Sequence, residues 1–366
     1  MATVLPHVPP ALRSQLNHIL RDCQATHAGQ LHSFCTSPPS AVSVDHLEAQ
    51  LNHIVILYRV ACLQSDKDAA LTQISALKLN KRKLHPIQEL YLDVQLLYND
   101  VDYAVTSVRR TYLMPTKNFG IYGSIANFWA NAEPHIPLLI YDAVPESIAA
   151  DTVITTALLR TRRSFEFAHQ GVALKTYDEK DHGDLIYTWT ATTATFNMGT
   201  LLNRYLDYLD KRDPGIGSQC TMSTLATVSL MLCYIIRKDI LGCDVDGVDM
   251  RDAGTVILPR IAASLNQAMS TATRQEETRY HDVWLWICFW GAHYEARAVS
   301  GHVRHYKPGS IWFGNTIHKL TVKDDGGFIK WAAVKRVLES FVFMSWWKPN
   351  PEEWYERMMV RRTWGI

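Results

Sequence analysis

The sequence predicts an all-α protein, a compact array of many helices. Three observations predict it. Apolar residues recur three and four positions apart in segment after segment, the spacing that puts them on one face of a helix. Alternation of apolar and polar residues, the mark of a half-buried strand, nowhere persists beyond a few positions. Residues 283–292 (VWLWICFWGA) are ten consecutive apolar or small residues. That run is shorter than the roughly 20 residues a membrane-spanning helix needs. It also lacks the polar face that a surface helix keeps. It is expected to be a helix enclosed by protein, with Tyr280, His281 and Asp282 before it and His293, Tyr294 and Glu295 after it.

Taken in order, Pro9 and Pro10 introduce a helix over 11–23, where Leu12, Leu16, Ile19 and Leu20 keep the period and proline fits the first turn. Residues 25–42, with Ser37-Pro38-Pro39-Ser40, read as a loop. This makes 1–42 an N-terminal helix and loop ahead of a helical domain over 43–366. Ser43 or Asp45 caps a helix over 43–64, and a short one follows from Asp66 through Leu77. Pro86 opens a long apolar stripe from Ile87 to Val105. The looser stretch 115–137 has room for a helix over 124–132. Pro145-Glu146-Ser147 opens another that reaches about His169. Residues 171–183 are polar and mark an internal break. A helix over 185–209 is stopped by Asp213-Pro214-Gly215. Then come an apolar helix over 222–240, an acidic loop over 242–254 and a helix over 255–274 that leads into the central run. No fixed-period repeat stands out, although successive helix pairs are compatible with a loose helical-repeat stack.

Hydrophobic content of 47% and charged content of 20% are those of a folded globular chain. The 37 basic and 36 acidic residues leave a formal charge of +1, without the basic excess of a free-standing DNA-binding domain. Seven scattered cysteines, an odd number with none in a C-x-x-C pair, argue against a secreted disulfide framework. The first residues show neither a basic region nor a continuous apolar one, so no signal peptide is expected and a reducing compartment follows.

Motifs that carry chemistry are few. The loop Asp244-Val245-Asp246-Gly247-Val248-Asp249 is acidic enough to attract calcium. Its glycine falls at position 4 of an EF-hand frame and Thr255 at position 12, so it reads as a solvated turn with Asp252 capping the next helix. His302 and His305, with His293 and Glu295 earlier, form the one histidine cluster, but no H-E-x-x-H accompanies them. No G-x-S-x-G and no cysteine active-site signature occurs. Gly215-Ile216-Gly217 lacks what a phosphate loop needs. Lys81-Arg82-Lys83, Arg160 with Arg162 and Arg163, and Arg361-Arg362 are short, separated basic groups, weak as nuclear-localisation signals, and Lys81–Lys83 reads as a solvated helix end. No catalytic, cofactor-binding or metal-ligating residue is therefore assigned, and no cofactor is expected.

A resemblance carries the functional expectation. Trp284-Leu285-Trp286-Ile287-Cys288-Phe289-Trp290-Gly291 follows an LLW-x-L-F-x-x-G pattern, and Trp312-Phe313 a WF segment. Trp331, Val334, Leu338 and Phe341 follow W-x-x-V-x-x-x-L-x-x-F. Together these resemble the end of the fungal-specific transcription factor domain, the helical regulatory region usually found C-terminal to a Zn2Cys6 cluster. The resemblance covers roughly the last quarter of the chain and rests on core patterns. It implies a regulatory domain in the nucleus (alternatively the cytoplasm) without its own DNA-binding module, since the zinc cluster is missing. Such a domain works through a protein partner or a homodimer, or senses a hydrophobic small molecule among aromatic side chains such as Trp284, Trp290 and Trp331. Direct sequence-specific DNA binding and membrane insertion are not expected. The alternative is a helical enzyme with an apolar pocket near His293–His305, and a ligand-free adaptor is a third reading.

Overall fold

The computed structural model describes residues 86–111, 114, 123–135, 144–170, 180–210, 217–241, 253–300, 312–322, 327–343 and 350–363. Among them are ten α-helices and no strand, and the only β feature is an isolated bridge between Val322 and Phe328. The all-α expectation holds. The helices are α1 (Pro86–Ser107), α2 (Gly123–Ala132), α3 (Thr152–Gln170), α4 (Lys180–Leu209) and α5 (Gln219–Ile235), the last continued by a π-helical turn, Ile236–Ile240. They are followed by α6 (Ala253–Thr271), α7 (Arg274–Ser300), α8 (Trp312–Thr321), α9 (Trp331–Glu339) and α10 (Pro351–Thr363). The helices expected before residue 80, the acidic loop and the pair His302 and His305 lie outside the described residues.

Several predicted boundaries differ from those observed, two of them because a side chain caps a new start. The helix expected from Pro145 is split into a 3-10 turn, Glu146–Ile148, and α3. The cause is Asp151, whose Oδ1 accepts from the amides of Val153 (2.9 Å) and Ile154 (3.0 Å) and so caps a fresh start. The helix expected over 255–274 ends at Thr271, because Thr273 and Glu276 form a reciprocal capping box that opens α7. Of the polar stretch 171–183, residues 180–183 begin α4 and the rest lies outside the described residues.

Contacts gather the chain into two units that are discontinuous in sequence. The first takes its described residues from Met1–Leu138, Phe167–Gly199 and Arg237–Gly247. In it α1 packs on α2, and α4 approaches α1 at Gly199. A Cβ there would lie 2.4 Å from Met114 Sδ and 2.7 Å from Val101 Cγ2, so a larger residue would force these side chains to shift. The interior is polar for a core. Ser124 donates to Asp93 (2.7 Å), the Trp129 indole to Thr192 (3.0 Å) and the Trp189 indole to Glu133 (2.8 Å). Arg237, fully buried on the π-helical turn, pairs with Asp102 at 3.1 Å. The threonines of α4 are tolerated mid-helix because Thr192 and Thr195 donate back to the carbonyls of Thr188 and Ala191, each at 2.8 Å.

The second unit takes Leu139–Glu166, Thr200–Ile236 and Val248–Ile366. Its centre is α7, against which α5, α6, α8 and α9 pack. Every residue from 283 to 295 is buried, as expected of a helix enclosed by protein. Phe313 of α8 sits on Gly291, where a Cβ would meet its ring at 2.5 Å. Trp286 stacks on Phe341 (5.0 Å between ring centres), and Phe289 meets Trp331 (5.9 Å) and Trp354 (5.1 Å). Among the described residues one stretch, Gln219–Ile240, is by length and composition apolar enough to cross a membrane. Most of it (83% of its most apolar part) is buried by protein, as in the core helix of a folded domain.

Candidate functional site

Two buried ionisable groups of the second unit, His293 and Glu295, stand in the C-terminal half of α7. Gly291 and Glu295 are four residues apart and so share a face, the face that meets α8. Glu295 is buried, with 4% of its surface exposed. Its Oε1 accepts from the amide of Phe313 at 3.5 Å, and the amides of Trp312 and Gly314 add to this hold on the first turn of α8. Its Oε2 has no hydrogen-bond partner among the described residues. Burial raises the carboxyl from 4.5 to about 7, and the three amides only partly offset it. Cys288, two turns earlier, is fully enclosed, and its thiol is pushed well up, first by burial and then by the Glu295 charge. His293 is buried as well, its ring against Trp290 (6.2 Å) and Tyr294 (5.7 Å).

At the other end of the same contact, His281 Nε2 lies 2.9 Å from the carbonyl oxygen of Leu320, in the last turn of α8. Its Nδ1 is 3.3 Å from Asp282 Oδ1. Both ring nitrogens face acceptors, which is the arrangement that suits the imidazolium. The Asp282 bond raises the pKa of His281, burial opposes it and the Leu320 carbonyl adds to the rise.

A second polar cluster joins α3 to α4. Asp151 Oδ2 accepts from Arg204 at 2.8 Å and from the Tyr208 hydroxyl, while Oδ1 serves the cap. Burial raises the Tyr208 hydroxyl and the Asp151 carboxylate raises it further. These bonds occupy both oxygens of Asp151 in holding structure.

The residues singled out in the sequence are dispersed. His293 and Glu295 are together on α7, and the rest of their cluster, His302 and His305, lies outside the described residues, as do Asp246 and Lys81. Arg160 is exposed, but Arg162 is buried and donates through Nε to the carbonyl of Phe341, so the two do not form one solvated patch. Of the aromatic set, Trp284, Trp286 and Trp290 are packed as core, and their polar edges are used internally. Trp284 donates to Thr224 (3.0 Å), and Trp286 (3.0 Å) and Trp290 (2.8 Å) both donate to the carbonyl of Val342. Among the described residues no group of three His, Cys, Asp or Glu could hold a metal ion. Sequence alone assigned no role to Asp151 or His281, and it placed Glu295 with the histidine cluster rather than against α8. The i, i+4 pairing with Gly291 was the signal available for Glu295. No family model matches the chain, and neither a curated protein nor a solved structure gives a match.

Proposed function

We propose that this chain is a helical regulatory domain, similar to the fungal-specific transcription factor domain, that acts by contacts and carries no DNA-binding module of its own. One observation supports it most. The three segments that carry the resemblance, around Trp286, at Trp312-Phe313 and from Trp331 to Phe341, come together in a single core around α7. Segments that match by core pattern are thus core in this fold. The reading implies a protein partner or a second copy of the chain, and a nuclear or alternatively a cytoplasmic place of action. It is tested by sedimentation of the purified chain together with capture of partners from a nuclear extract. Self-association or a saturable partner that survives Glu295→Gln and His293→Asn is the expected result.

A second reading, a helical enzyme, is favoured by one observation: a carboxyl poised near pH 7 at Glu295, two residues from the buried His293. Its discriminating result is a turnover activity that Glu295→Gln or His293→Asn abolishes while the fold is kept. That result would displace the regulatory reading.

A further inference from the structure

Two carboxylates of the second unit are equally deep, and they are met differently. Asp151 and Glu295 each keep 4% of their surface exposed. Asp151 has four donors shared between its two oxygens. Glu295 is matched on one side only. The amides of Trp312, Phe313 and Gly314 at the start of α8 hold it, with Phe313 on Oε1, while Oε2 is enclosed and meets no donor among the described residues. A carboxylate has room for about four donors, and a buried one left half-matched is costly. The first turn of α8, Trp312 to Asn315, brings no cationic side chain to supply what is missing.

We propose that Glu295 is the anionic anchor of a binding site for an alkylated ammonium, a small organic cation with one N–H and apolar arms. The α8 amides favour the charged form of Glu295, and a cation on Oε2 reinforces the same form. This inference goes beyond the regulatory reading and does not depend on it.

The chemistry around the open oxygen selects that class. One carboxylate oxygen offers a strong, charge-assisted bond to a single donor. A guanidinium is a fork that needs both oxygens, and Oε1 is already engaged by α8. A primary ammonium brings three N–H groups, two of which would stay unmatched in apolar surroundings. Asn315 Oδ1 also has no donor, but it stands two residues on from Phe313 and so on the far side of α8. A tertiary ammonium brings one N–H, and its arms suit the rings beside the anchor. Phe313 lies on Gly291, one turn before Glu295 on the same face of α7, and Trp312 meets Phe313 edge to face at 4.9 Å. Trp312 is half-buried, so this aromatic pair leads from the core to the surface. Aromatic faces attract alkylated ammonium groups through the ring quadrupole.

The test is a ligand-observed NMR titration of the full chain with triethylammonium, at fixed ionic strength and about pH 8, where the carboxyl is ionised. Saturable binding with a Kd of about 1–10 mM is expected, the range open to so few atoms. Tetraethylammonium, which has no N–H, and ethylammonium, which has three and a single arm, should each bind about tenfold more weakly or worse. Glu295→Gln should weaken triethylammonium binding by about tenfold or more, and Trp312→Ala by about threefold. Glu353→Gln, which removes an exposed carboxylate on α10, should leave it unchanged. No saturation up to about 50 mM, equal affinity for either comparison cation, or an unchanged Kd in Glu295→Gln would overturn the proposal. Should Glu295→Gln not fold, the wild-type chain decides. Nuclear Overhauser contacts from the ethyl groups to the Trp312 and Phe313 rings support the site, and contacts to other rings alone reject it.

Discussion

At the scale of single residues, the most demanding position is Gly291. An alanine there must displace the Phe313 ring, whose three nearest atoms all lie within 2.7 Å of the added carbon. A buried ring in a filled core yields less readily than a flexible chain end, so Gly291→Ala should cost about 1–3 kcal/mol of stability by overpacking. Urea unfolding measures it, and Phe313→Leu in the same background should recover part of the loss. Gly199 meets the flexible Met114 among its neighbours, so alanine there should cost less. Asp151 is the other residue on which much depends, because its two oxygens serve four donors. Asp151→Ala removes the carboxylate that Arg204 and Tyr208 donate to and leaves the α3 amides uncapped. A loss on the order of 3 kcal/mol is expected, read as a shift of the urea midpoint.

At the scale of elements, α7 is secured to the segment after α9 through a single carbonyl. Val342 accepts from both Trp286 and Trp290, so its oxygen keeps one bond when either indole is replaced. Trp286→Phe and Trp290→Phe should each cost about 1 kcal/mol from the lost bond alone, and the double variant more than the sum, since the carbonyl is then orphaned in a dry core. A double-mutant cycle measured by chemical unfolding checks this, and strict additivity would contradict it. The ends of α7 also titrate in opposite directions. Glu276 lies below the usual carboxylate range, first because Ser218 and then Thr273 donate to it. Its contribution is present above the ordinary value and lost as pH falls through the lowered one. Glu295 lies above its ordinary value, so its ionisation costs stability as pH rises from 4.5 to about 7. Glu295→Gln should therefore melt higher than wild type at about pH 8 and level with it at about pH 4, by calorimetry. The helices themselves were largely legible. Pro86, the apolar stripe after it and the run at 283–292 name α1 and the core of α7 from spacing alone. Lost were starts fixed by side-chain bonds, as at Asp151 and Thr273. Also lost was α10, where Trp354, Tyr355 and Met359 are too sparse among charges to declare a period.

At the scale of the whole molecule, the sequence reads the apolar interior far better than the polar one. Burial of 283–295 follows from composition, because ten apolar residues in a row have nowhere else to go. The pairing of Arg237 with Asp102, or of Arg204 with Asp151, joins positions far apart in the chain, and no local pattern announces it. The same pairings bear on nucleic acid. The 37 basic residues are matched by 36 acidic ones. Among the described residues Arg204, Arg237 and Arg357 are matched to carboxylates, and Arg162 is buried against a backbone carbonyl. A cation held by an internal acid releases no counterion from a phosphate backbone, and that release supplies most non-specific affinity. The chain should therefore bind random-sequence duplex DNA more weakly than about 10⁻⁴ M at physiological salt, by fluorescence anisotropy, and with a shallow salt dependence. Micromolar binding with a steep slope would mean that basic groups elsewhere in the chain act together on phosphates, and the view of this protein as a domain without DNA-binding capacity of its own would have to be given up.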